Sequence, residues 1–503
     1  MNQNASDESV KGDFSGVTMR YGPGHVVFHR EGPLFLMSVY EGESLVRRHV
    51  VTRTVGSLYV QYYVGKQTKG PEPRGHRTYT TESKLPFGWS IALQRWLPEV
   101  YFDSTFEEEH VYLSDARRDY IYARAPNHNW NVSCLNCHNT YPYVARLWKQ
   151  AGPGQERAKW RGGFPEEAVE WRGPVEHQGS LRIGGRVRAL HGDELVTVGI
   201  SCESCHFGGR EHALEEREIR FVPTAPELTI RQPGSERPLE SDRKDPRVVN
   251  SICAQCHNAD LVKWPDGSHA VNSSEALAMA AGACTGAIKC TDCHNPHEKG
   301  PGSGAPDRAG HVEACLGCHP RFEDAGELAQ HTRHTASVNC LDCHMPRIVS
   351  GLDTVVRSHR ISVPTDPRML ATDAPNACNI CHLDRPLSWT LRELEKGWRY
   401  EPPAQQRGAA DQPLGEAWLR SENSFLRAAA AEAYARSPWV TDRLPALRAS
   451  LEDEQAFNRT LGLIAVERVL GRKVTLDEYD LLASPELRKR QAEELAGSRH
   501  AGR

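Results

Sequence analysis

Seven times between residues 134 and 382 the chain repeats Cys-x-x-Cys-His: CLNCH at 134, CESCH at 202, CAQCH at 253, CTDCH at 290, CLGCH at 315, CLDCH at 340 and CNICH at 378. The residues are Cys134, Cys137 and His138; Cys202, Cys205 and His206; Cys253, Cys256 and His257; Cys290, Cys293 and His294; Cys315, Cys318 and His319; Cys340, Cys343 and His344; Cys378, Cys381 and His382. This is the spacing of covalent c-type haem. Two thiols three positions apart reach the two vinyl groups of one porphyrin as thioethers, and the histidine behind them is held against one face of the iron as proximal ligand. Paired Cys-x-x-Cys units also build structural zinc sites, but zinc has no need of a histidine after the second cysteine of every pair, and neither has a disulfide framework.

A six-coordinate iron needs a ligand on its opposite face, usually His or Met. Of the 23 histidines, 16 lie outside the motifs. His128 in HNWNVSC and His334 in HTASVNC each precede a motif cysteine by six residues. His212 in GGREH, His297 in CHNPH, His311 ahead of CLGCH and His331 in HTRH lie close to motifs, and His359 in RSHR follows His344 by fifteen residues. These seven are the candidate distal ligands, with no assignment of ligand to haem. Met345, beside His344, reads as packing or backbone geometry, because it cannot easily cross to the other face of its own haem. Cys284, the fifteenth cysteine, reads as a buried apolar thiol. GPGSGAP at 300–306 is a loop rather than a phosphate cradle, and ESDRKDPR at 240–247 is solvated linker.

Around this block the chain divides in three. Residues 1–119 lack cysteine, and PLFLMSVYEG and SLYVQYYVGK alternate between glycine turns, which predicts antiparallel hairpins in a β-rich region. Residues 120–390 form the multihaem cytochrome c domain, with motif spacings of 68, 51, 37, 25, 25 and 38 residues; the macrocycles would supply much of its core. Residues 405–498 turn to Ala, Leu, Arg and Glu, and FLRAAAAEAYARS at 425 recurs in pattern as FNRTLGLIAVERVLG at 457, predicting HEAT-like helical repeats. The predicted class is α+β and irregular, with a haem-packed core. A length of 503 residues allows about three domains. Hydrophobic residues at 39% and a formal charge of −4 favour neither a membrane protein nor a nucleic-acid binder, and no run of 18 apolar residues occurs.

The phrases HNWNVSCLNCHNT, VGISCESCHFGGREH, CTDCHNPH, NCLDCHMP, RSHRISVP and APNACNICHLDR follow in order the pattern of multihaem cytochromes c with doubled CxxCH motifs, and residues 1–390 resemble that cytochrome c-552/4-like family in register. The resemblance implies an exported protein that moves electrons, with C-terminal HEAT or TPR repeats that dock redox partner proteins. In similar proteins a segment like MNQNASDESVKGDF is internal, behind a signal peptide and one more CxxCH, so an upstream start and an eighth haem are expected. The first functional expectation is an electron relay through seven covalent haems. The alternatives are an oxidoreductase acting on a small nitrogen or sulfur compound at a haem with an open face, and a docking module with auxiliary haems. No CxxCK occurs, which removes the lysine-ligated site of the pentahaem nitrite reductases. Thioether attachment places the protein in the periplasm or outside the cell.

Overall fold

A computed structural model describes residues 2–21, 24–102, 130, 135–140, 148–149, 159–160, 168–172, 175–177, 180–183, 186–189, 195–224, 226–232, 234–240, 243–298, 308–334, 338–403, 406, 411–440 and 442–497. The fold is mixed α+β, with an N-terminal antiparallel sheet and C-terminal helices. It falls into two compact units, one of Met1–Pro98, His110–Asn258 and Gly286–Thr291, the other of Glu99–Glu109, Ala259–Thr285 and Asp292–Arg503.

The first unit opens with the expected hairpins. Strands β1 (Asn2–Asn4), β2 (Val17–Tyr21), β3 (Gly24–Glu31), β4 (Leu34–Glu41), β5 (Ser44–Val55), β6 (Val60–Lys69), β7 (Ser83–Ser90) and β8 (Arg95–Pro98) make an eight-stranded meander in the order β2-β3-β4-β5-β6-β7-β8, with β1 added against β5. Alternation decides which side chains turn inward: Val26 and Phe28 of β3 are buried, while Val27 and His29 between and beyond them are half-buried. Inside, Phe28 stacks on Trp96 at 3.9 Å with an interplanar angle of 1°. Phe14 stands edge-on to Phe35 at 5.2 Å and to Trp96 at 5.0 Å, the arrangement the ring quadrupoles favour. Gly12 passes so close that a Cβ there would lie 2.5 Å from Trp96, while its N–H donates to the Tyr63 hydroxyl at 2.9 Å. Farther along, helix α1 (Pro246–Ala254) starts where Asp245 Oδ1 accepts from the Arg247 and Val248 N–H groups at 3.0 and 3.3 Å, with proline at the first helical position.

The second unit carries short helices α2 (Arg308–Leu316), α3 (Ala325–Thr332) and α4 (Cys340–His344), a hairpin of Arg347–Ser350 and Val355–Arg357, then α5 (Leu387–Trp398), α6 (Leu414–Leu419), α7 (Ser424–Arg436), α8 (Leu444–Leu451), α9 (Ala456–Leu470) and α10 (Pro485–Gly497). Helices α7 and α9 are buried on nearly every side, as central helices are. They begin 32 residues apart and pack on one another; α8 packs against α9 and α10. Their crossing depends on Gly462, where a Cβ would lie 2.8 Å from Ser450 of α8. The hairpin enters the same core: Val355 packs with Ala428, Phe457 and Leu461. Glu432 of α7, buried, accepts hydrogen bonds from Arg436, from Arg468 at 2.8 Å and from the Thr354 hydroxyl at 3.0 Å. Burial alone would raise its carboxyl, but the two arginines hold it below the ordinary value.

Candidate metal centres

Among the described residues the motifs lie on single helical or hydrogen-bonded turns. At Cys205, Cys256, Cys318 and Cys381 the N–H donates to the carbonyl of the motif's first cysteine at 3.1 Å, and at His206, His257, His319 and His382 it donates to the same carbonyl at 2.8 to 3.0 Å. Residues i and i+3 of such a turn share a face and i+4 follows beside them, so both thiols and the imidazole address one side. The turn recurs in different settings: a 3₁₀ turn at Cys202–Ser204, the ends of α1 and α2, and all of α4. In the first motif Leu135–His138 is helical, and Cys134 and the distal candidate His128 lie outside the described residues.

Helix α4 is five residues long and needs help to stand. Asn339 Oδ1 accepts from the Leu341 N–H at 3.0 Å while Asp342 Oδ2 accepts from the Asn339 N–H at 3.1 Å. At its other end Arg357 donates to the carbonyls of Leu341 at 2.7 Å and Met345 at 3.0 Å, and to Asp342 Oδ1 at 2.7 Å. Both orphaned ends of the helix are thereby satisfied. Met345 acts here through its backbone.

Three motif histidines face a second imidazole brought from elsewhere in the second unit. His344 and His331 have ring centres 6.2 Å apart, His382 and His334 also 6.2 Å, and His294 and His359 again 6.2 Å; His311 lies 6.3 Å from His294 as well. This separation lies at the long end of ordinary aromatic pairing and is also the one that two imidazoles would have on opposite sides of a single metal ion. An iron sits about 2 Å from each ligating nitrogen and each nitrogen about 1.1–1.2 Å from its ring centre, so two axial imidazoles stand about 6.3 Å apart. The interplanar angles, from 7° to 74°, would be compatible with such a pair, because each ring could turn about an axis through a shared metal ion. Arg333 makes two of these pairs possible. It closes α3 in the left-handed conformation, φ 52°, so that His331 and His334, three residues apart, diverge toward different motifs.

The ring nitrogens away from these axes have acceptors. His344 Nδ1 lies 2.8 Å from the Ser362 carbonyl, His334 Nδ1 2.5 Å from that of Thr332 and His212 Nδ1 2.7 Å from that of Arg217. A carbonyl takes the proton on Nδ1, leaving the Nε2 lone pair for a metal. Aromatic side chains steady other motif imidazoles: Phe221 at 5.0 Å from His206, and Trp389 and Trp439 at 4.8 and 5.8 Å from His382. Burial, with His257 as a nearby positive neighbour, pushes His138 down to about 4. A neutral imidazole is the form that ligates. His212 lies in the short exposed helix Gly209–Glu215 beyond the second motif, and His297 on an exposed turn beyond the fourth.

Thiols of successive motifs lie close together. Cys315 and Cys340 lie near enough for each to shift the other's ionisation, and Cys290 does the same to Cys253; the Cys315 thiol itself donates to the His311 carbonyl at 3.5 Å. Cys284 lies close enough to Cys315 to oppose its ionisation. Burial pushes Cys343 up to about 11 and Cys378 up to about 12, each with a thiol of the neighbouring motif adding to the effect. Beside these two motifs lies a small open cleft lined by Cys343, Pro346, Ile348, Met369, Asn376 and Ala377 among others. Among the described residues no three His, Cys, Asp or Glu side chains converge as a metal-ion cage. An iron already held by four porphyrin nitrogens needs two protein ligands, so a histidine pair is a sufficient donor set.

Ser362, Arg357 and the aromatic residues around the imidazoles are additions that motif spacing does not reveal. Asn339 had a signal: an Asn followed three residues later by an Asp marks a helix start. No family model matches the chain, and no solved structure matches it. No helix among the described residues is long and apolar enough to cross a membrane.

Proposed function

We propose that the chain is a multihaem c-type cytochrome that relays electrons between redox partner proteins through covalently bound haems. The observation that carries this reading is the coincidence of two independent spacings. Seven CxxCH motifs supply attachment and one ligand each, and three of their histidines face a second histidine at the separation an axial pair on iron requires. Bound haem would supply the one-electron iron couple. The chain's own residues would do the rest: the paired cysteines would anchor the haem, His331, His334 and either His359 or His311 would offer it a second imidazole, and the carbonyls of Ser362 and Thr332 hold the proton on Nδ1 of His344 and His334. Closed iron faces favour outer-sphere transfer over substrate binding. Thiols of successive motifs near enough to influence one another would favour closely spaced haems, which suits a relay.

The resemblance to cytochromes c of the c-552/4 type supports the same reading. It extends it to a location outside the cytoplasmic membrane, where thioether attachment occurs, and to a C-terminal helical array that docks partners. The test is haem counting by pyridine haemochrome with electron paramagnetic resonance of the oxidised holoprotein. Seven haems per chain, with low-spin signals only, is the expected result. A dominant high-spin signal at full haem loading would replace the relay with catalysis at an open iron.

A further inference from the structure

We propose that His294 has two interchangeable partners, His359 and His311, so that an iron bound through the fourth motif can exchange one axial imidazole for another. The inference rests on the haem reading above and adds to it a site of ligand exchange. Among the described residues His344 faces one other imidazole, His331, and His382 faces one, His334. His294 faces both His359 and His311, with ring centres 6.2 and 6.3 Å away. Each distance meets the separation of about 6.3 Å that two axial imidazoles need. An iron holding four porphyrin nitrogens and His294 has one position left, so the two histidines compete for it.

The competitors are held in different ways. His359 follows the strand Val355–Arg357 and stands between two anchored neighbours. The N–H of the buried Ser358 donates to the Pro346 carbonyl at 2.9 Å, and the Arg360 guanidinium lies 3.5 Å from the carboxylate of the buried Asp266. His311 is carried by α2, four residues ahead of Cys315 and on the same face of that helix. His294 is exposed just past the 3₁₀ turn Cys290–Asp292, and both partners are half-buried, so no packed core has to open for one to withdraw and the other to approach. Exchange breaks one iron–nitrogen bond and makes another; it moves no electron and needs no further reactant. With His359 the site is tied to the hairpin whose Val355 enters the helical core, and with His311 to the helix of the next motif.

The two pairings differ in a property that can be read. The His359 ring lies 23° from the plane of His294 and the His311 ring 74° from it. Near-parallel axial imidazoles separate the energies of the iron's π orbitals and give a low-spin ferric centre a rhombic paramagnetic spectrum. Crossed imidazoles leave those orbitals nearly equal and give one strongly anisotropic feature at low field.

The experiment is electron paramagnetic resonance of the oxidised full-length holoprotein and of His359→Ala, His311→Ala and the double variant, each with its haems counted. Both single variants should keep every iron low-spin, His359→Ala losing rhombic signal in favour of the anisotropic feature. The double variant should gain one high-spin iron, and added imidazole should return it to low spin, as it would not in a misfolded chain. In a Cys290→Ser/Cys293→Ser background the double substitution should add no high-spin signal. A high-spin iron or a lost haem in either single variant, an unchanged spectrum in the double variant, or a high-spin signal that survives removal of Cys290 and Cys293 would each overturn the proposal. The relay reading fails separately, on the haem count and spectrum of the unsubstituted protein.

Discussion

His334 sits six residues ahead of Cys340, yet its ring stands across from His382, not His344. This yields a discriminating prediction. His334→Ala should convert one low-spin iron to high-spin in the electron paramagnetic resonance spectrum, and in a Cys378→Ser/Cys381→Ser background, where that haem is not attached, the same substitution should add no high-spin signal. The motifs were legible because the covalent attachment proposed for them is local chemistry, complete within five positions. Ligand assignment was not, because it depends on where α3 ends and on a left-handed Arg333 that no spacing rule marks. A second residue lies far from any motif. His49 is buried and held down to about 4, first by desolvation and then by the charge of Arg47. Because the folded value is below the ordinary 6.5, the folded state resists protonation there: this contribution is fully present above pH 6.5 and is lost as pH falls toward 4. At about 1.4 kcal/mol per pH unit the loss amounts to about 3 kcal/mol. Urea titrations at pH 7 and pH 4.5 should show that part of the acid sensitivity missing from His49→Gln.

The sheet was readable from alternation because one face of each strand meets a core and a two-residue period is hard to imitate. Its bulges, as between Val51 and Arg53 of β5, carried no comparable mark. Among the helices, α4 depends most on outside contacts. Arg357→Gln removes a charge-assisted bond to Asp342 and two bonds to orphaned carbonyls, and should lower stability by about 2 kcal/mol. Thermal unfolding of the holoprotein checks this. Arg357→Lys should not restore it, since an ammonium cannot reproduce the planar fork. The α8–α9 crossing makes a complementary case. Gly462→Leu drives a side chain into Ser450 and should cost about 3 kcal/mol. Gly497→Ala, in open space at the end of α10, should shift the melting temperature little.

For the molecule, the change of composition after residue 400 announced helices, and helices are there. What composition did not announce is that this region shares a core with the hairpin leading to His359. Val355 packs among Ala428, Phe457 and Leu461, and Thr354 bonds to the buried Glu432 between its two arginines. Such a junction has a consequence for ancestry. A gene rearrangement that cut between the cysteine-rich segment and the helices would strand a buried carboxylate and leave an apolar strand without its cover. Descendants of this chain should therefore inherit the hairpin and the helices together, and substitutions at Thr354, Val355, Glu432 and Arg468 should be accepted in concert.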